Sequence, residues 1–159
     1  MTSTRIGALA GLKPGDAVSG AVALRADVLA MTEAASAAVL TPKEIGAFTH
    51  EQRAALAVRI ARLNDNEALA AHYGNGLSGD HARLADPSFD GGDDELLRSI
   101  LAFTDRVAAN PKDASADDIE GLRQAGLAEA DIVRLTQLNG FLAYEIRLIE
   151  GLRLMGGEG

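Results

Sequence analysis

Apolar residues recur at helical spacing along most of the chain, and the clearest case is residues 49–73. Leu56, Ile60 and Leu63 stand at i, i+4 and i+7, which is one face of a helix. Thr49 is a good N-cap, with Gln52 three residues on as a capping box requires. Ala54, Ala55, Ala57 and Ala61 favour the helix and are small enough to admit a second helix closely. Arg53, Arg59 and Arg62 lie off the Leu/Ile stripe and are expected to face water or a neighbouring subunit. Asn64-Asp65-Asn66 interrupts the pattern, because these side chains compete for backbone hydrogen bonds. The sequence predicts a kink there, or a new helix capped by Asp65 or Asn66 that passes Leu69 and His72 and ends at the glycines from Gly74 onward.

The same reading extends to the rest of the chain. Residues 1–20 carry Gly7, Gly11, Pro14, Gly15 and Gly20 and predict an irregular lead. Leu24, Val28, Met31, Ala35 and Val39 predict a first helix over 21–40. Thr41-Pro42-Lys43-Glu44 reads as a capping box with proline at N1, hence a short helical turn ending at Gly46. Residues 74–92 are a polar, glycine-rich connection with room for a short helix at 80–84. Asp93 opens a helix carrying Leu96, Leu97, Ile100, Leu101, Phe103 and Val107, closed by Asn110-Pro111. Ser115 with Asp118 caps another that Gly126 ends. The last helix begins at Ala128 or Glu129, runs to about Leu154 and is apolar on nearly every side. Such a helix belongs in a core or between subunits, so an oligomer is expected, with a flexible tail at 155–159.

Composition narrows the class. The 159 residues suit one domain, spanning 21–154, and 47% are hydrophobic with only 4% aromatic. Abundant alanine and sparse β-branched residues make the fold all-α. A net charge of −8 argues against nucleic-acid and anionic-membrane partners, which need clustered cations. No apolar run reaches the ~20 residues of a membrane span, and the N-terminus has no secretory pattern, so a cytoplasmic location is expected. The chain has no cysteine, which excludes disulfides, thiolate metal sites and a thiol nucleophile.

The stretch 49–73 resembles the helix of the AhpD-like/carboxymuconolactone decarboxylase superfamily that ends in Asn-x-Cys-x-x-Cys-x-x-x-His. Aligned on Asn64, Asn66 and Leu69 stand where that family carries cysteines, Tyr73 where it carries histidine, and Ala54 near its proton-relaying glutamate. His72 is one residue away from the motif histidine, a rotation of about 100 degrees on a helix. Residues 93–104, 114–127 and the final helix are similar to the second half of the peroxidase-related branch, with Ile146-Arg147 where Asn-Arg is usual. The resemblance covers about residues 40–154. It implies an AhpD-like helical bundle, a homo-oligomer (dimer, trimer or hexamer) and a pocket at the end of the 49–73 stretch.

Three function classes follow. One is a cysteine-free AhpD-like protein that binds a small molecule or serves as an accessory protein in a bacterial pathway. The second is a decarboxylase- or lyase-like enzyme acting on a small carboxylate, with His72 as acid/base and Tyr73 or Arg147 orienting substrate. The third is a helical interaction module. Asp65, Asn66, Glu67 and Leu69 are candidate pocket residues by position. Asp65 and Glu67 equally suit a helix cap and its dipole. Glu145, Arg147 and Glu150 lie in an apolar helix, where a buried charge must be paired. His72, Asp80, His81 and Asp86 match no metal-ligand spacing, so no metal or cofactor is expected.

Overall fold

The computed structural model describes residues 4–156, which form nine α-helices and a 3-10 turn at Pro111–Asp113, with no strand among them. The helices are α1 (Arg5–Leu9), α2 (Ala17–Ala23), α3 (Ala26–Leu40), α4 (His50–Leu63), α5 (Glu67–Gly74), α6 (Gly79–Leu84), α7 (Glu95–Ala109), α8 (Ala116–Gln124) and α9 (Glu129–Gly156). Helix α4 is central and packs on α5, α6, α7 and α9, while α1, α2 and α3 lie against α9. The core joins Leu56 and Ile60 of α4, Leu69 of α5, Leu101 of α7 and Leu122 of α8 to Leu135, Leu138, Leu142 and Ile149 of α9.

Local chemistry sets the helix ends. Thr49 accepts from the Gln52 amide at 3.2 Å and Gln52 Oε1 takes the Thr49 amide at 2.9 Å, which completes the expected capping box. Asp65 adopts the left-handed conformation (φ 55°), breaking the chain between α4 and α5, and Asn66 caps α5 by accepting from the Leu69 amide. At α8, the Asp118 carboxylate takes the Ser115 amide at 2.8 Å.

Four expectations are corrected. The lead over 1–20 contains α1 and α2, separated by a turn at Gly11 and Gly15, both of positive φ. The first helix is broken at Leu24–Arg25, and its inward face is Leu29, Thr32 and Leu40. Leu24, at the break, and Met31 are exposed instead; alanines on every side of α3 leave its faces nearly equal. Residues 41–46 form bends and turns instead of a helical turn. Carbonyls in and beside this segment serve a side chain: Arg53 donates to the oxygens of Val39 (3.0 Å), Ile45 (2.7 Å) and Phe48 (3.2 Å). Gly46 (φ +59°) lies so close to Asp131 and Arg134 of α9 that a Cβ would collide with both.

The fourth correction concerns the arginines of α4. Arg53 and Arg59 are 2% and 1% exposed, and only Arg62 is on the surface. Arg59 binds both oxygens of Asp105 on α7 (2.6 and 2.7 Å) and the carbonyls of Leu84, Asp86 and Pro87. With so few aromatic residues, the long arginine stems fill volume, and their guanidinium groups satisfy loop carbonyls that have no helical partner. Helix α9 is also less enclosed than its composition suggests. Ile132, Leu135, Leu142 and Ile149 are buried, whereas Val133, Tyr144, Leu154 and Met155 face outward. The helix continues to Gly156, and the end of the expected flexible tail, residues 157–159, lies outside the described residues.

Arg59→Met is expected to destabilise the fold by about 2–4 kcal/mol, since it strands buried carbonyls and Asp105. Arg62→Met is expected to cost less than about 1 kcal/mol. Urea unfolding of the two variants checks the difference.

Candidate functional site

The α5 helix carries Tyr73 into a polar cluster formed by α1, α3, α5 and α9. Its centre is Glu145, an acid in the middle of the apolar final helix, with 0% exposure. One carboxylate oxygen accepts the Tyr73 hydroxyl at 2.7 Å. The other meets Arg5 Nη1 of α1 at 2.6 Å, an ion pair lying off the ideal donor axis. Arg5 Nη1 also reaches the Tyr73 oxygen at 3.3 Å, and its Nε lies between the two oxygens of Glu33 on α3 at 3.1 and 3.0 Å. With the tyrosine proton directed at Glu145, Ser36 is left to donate to the Tyr73 oxygen, at 3.4 Å. The buried Arg5 Nη2 has no acceptor among the described residues.

Electrostatics follow from this packing. Burial, reinforced by the Glu145 charge and its hydrogen bond, pushes the Tyr73 hydroxyl well above the ordinary tyrosine range, so it acts as a neutral donor. Burial alone would disfavour the charged Arg5, but Glu145, Glu33 and Tyr73 outweigh it and hold the guanidinium above its usual range. His72 stands edge-on to Tyr73, with ring centroids 4.9 Å apart, and is otherwise exposed. The packed side of its imidazole and the nearby Arg5 charge lower its pKa, so it is neutral at pH 7.

The remaining candidates divide clearly. Asn66 is fully buried and donates to Glu150 at 2.8 Å, and Glu150 pairs with Arg153 at 2.8 Å. Asn66 therefore ties α5 to α9. Leu69 is core, with 0% exposure. Asp65 and Glu67 are exposed outside the cluster, and Arg147 points outward with Nη1 on the Ala143 carbonyl. Among the described residues, no group of three His, Cys, Asp or Glu side chains is placed to hold a metal, and no helix is long and apolar enough to cross a membrane.

Sequence reasoning missed Arg5, Glu33 and Ser36. Glu145 did carry a signal, being an acid flanked by Phe141, Leu142, Ile146 and Ile149. Arg5 carried none, since nothing in the first twenty residues ties that segment to the final helix. Comparison with family models, with curated proteins and with solved structures finds no match for this chain.

Glu145→Gln is expected to loosen α1, because Arg5 loses its buried counter-charge. Amide exchange at residues 5–9 should accelerate more than at α4. The His72 pKa is lowered in the folded state, so the unfolded chain binds that proton more tightly. Its stability contribution is complete above about pH 6.5 and is lost as pH falls through the folded value. NMR should give a His72 midpoint below about 6.5, and His72→Gln should flatten that part of the Tm–pH curve.

Proposed function

We propose that this chain is a cysteine-free, AhpD-like helical protein that binds a small carboxylate and acts as a binding or accessory protein instead of a thiol peroxidase. The observation that carries the reading is the buried Nη2 of Arg5, which has no acceptor among the described residues, on a guanidinium whose Nη1 lies 3.3 Å from the Tyr73 hydroxyl. Arginine presents a planar fork suited to carboxylates. The half-exposed Glu33 carboxylate already sits on Nε, where a ligand carboxylate would sit. Glu33 is free to swing into water, so an incoming acid replaces it at little cost, while Glu145 keeps Arg5 in place. Without a thiolate there is no sulfenic acid and no resolving disulfide, which removes the thiol route to hydroperoxide reduction. The exposed Val133, Tyr144 and Leu154 on α9 support self-association through that helix.

A second reading is a cysteine-independent lyase with His72 as base, favoured by the neutral imidazole against Tyr73. It is weaker because His72 makes no orienting hydrogen bond among the described residues, and the Tyr73 proton is already committed to Glu145.

Benzoate, titrated by calorimetry, is the first probe. Arg5→Gln should weaken it about tenfold or more, and Glu33→Gln should tighten it. Affinity unchanged in both variants would rule out the Arg5 site. Turnover of an alkyl hydroperoxide by the purified protein would refute the non-peroxidase reading.

A further inference from the structure

A second feature lies on the opposite side of α1. Helix α2 has no fully buried residue, although Val18 and Val22 lean on the core. Between it and α1 and α3 runs a groove of about 640 Å³. Leu12, Val22, Ala23 and Leu29 supply apolar walls, and Gly7 and Gly20 keep it wide. That volume and lining match a site for a small molecule, which typically takes roughly 300–1,000 Å³ of mostly apolar space with a few polar groups. At Leu12 and Asp16 the groove meets a smaller hollow of about 180 Å³ lined by Lys13 and Arg153.

The charges of this hollow set the ligand class. Lys13 has no ion-pair partner among the described residues. Arg153 donates Nη1 to Glu150 and Nη2 to the Leu9 carbonyl, which leaves its Nε available. Asp16, the one acid lining the hollow, accepts the Lys13 amide at 3.0 Å through Oδ2. Glu150 offsets Arg153 from outside the hollow, so the donors left for a ligand are the Lys13 ammonium and Arg153 Nε. We propose that the α1–α2–α3 groove binds the alkyl chain of an aliphatic carboxylic acid, with Lys13 and Arg153 holding its carboxylate. The alkyl chain covers the groove-facing side of α2, and the head group meets the cations at the narrow end. This site is separate from Arg5 and goes beyond the function proposed above.

The test is calorimetric titration with octanoate, decanoate and dodecanoate below their micelle concentrations. Affinity should rise by up to about fourfold per methylene until the groove is full. Dodecylammonium and dodecanol should bind at least about tenfold more weakly than dodecanoate, because a charge-assisted hydrogen bond is lost. Gly20→Trp should abolish binding: Gly20 lines the groove, and a Cβ there meets nothing within 4 Å, so the fold accepts the larger side chain. Lys13→Gln should weaken dodecanoate, and Arg153→Gln should do so more strongly. Lys13→Gln should leave benzoate affinity unchanged, which separates this site from the benzoate site. Equal affinity for the ammonium and the carboxylate would overturn the proposal. So would unchanged binding in Gly20→Trp, the absence of binding, or a dimer in light scattering that Gly20→Trp dissociates.

Discussion

Arg59 joins three parts of the molecule. Its guanidinium leaves α4, binds Asp105 of α7 through both oxygens and gathers the carbonyls of Leu84, Asp86 and Pro87 where the chain leaves α6. The Asp105 pair holds the charge in the interior, and the carbonyls spend the remaining donors. Arg53 does the same at the other end of α4 without a carboxylate directly on it, taking the Val39 carbonyl in the last turn of α3 and those of Ile45 and Phe48 in the segment that follows. Burial, with Arg134 nearby, lowers its pKa, yet an arginine has ample range to remain charged. The loops of this fold are thus organised from inside by side chains of the central helix. That explains why irregular segments pack firmly in a protein with so little aromatic surface.

The helical character, the capping of α4, the break at Asn64–Asn66 and the acidic cap of α8 were all legible, because each depends on residues within four positions of one another. What failed depended on distant partners. The arginines of α4 look like a polar face until the loop carbonyls they satisfy are brought up from residues 39–48 and 84–87. The inward face of α3 was misplaced because alanine gives every side of that helix the same weak preference. The site was legible at one end only. Tyr73 and His72 stood out through the resemblance, and Glu145 through its apolar flanks, but Arg5 meets Glu145 across 140 positions.

The two sites share α1 as a wall. Arg5 and Ile6 look inward, whereas Thr4 and Gly7 border the groove under α2. A helix of five residues has too few backbone hydrogen bonds to stand alone. It is held by the Glu145 ion pair, by Ile6 in the core and by Arg153 on its final carbonyl. The polar cluster therefore does structural work whatever it binds, and the outer groove inherits its shape from that anchoring.

The placement of sulfur has a practical consequence. The chain has no cysteine, and Met31 and Met155, the methionines within the described residues, both lie on the surface. Oxidation to the sulfoxide adds a polar oxygen where water already reaches, and it leaves no polar group inside the core. The described interior is built wholly of carbon, nitrogen and oxygen. Among the described residues, air and hydroperoxide thus meet no buried sulfur to oxidise.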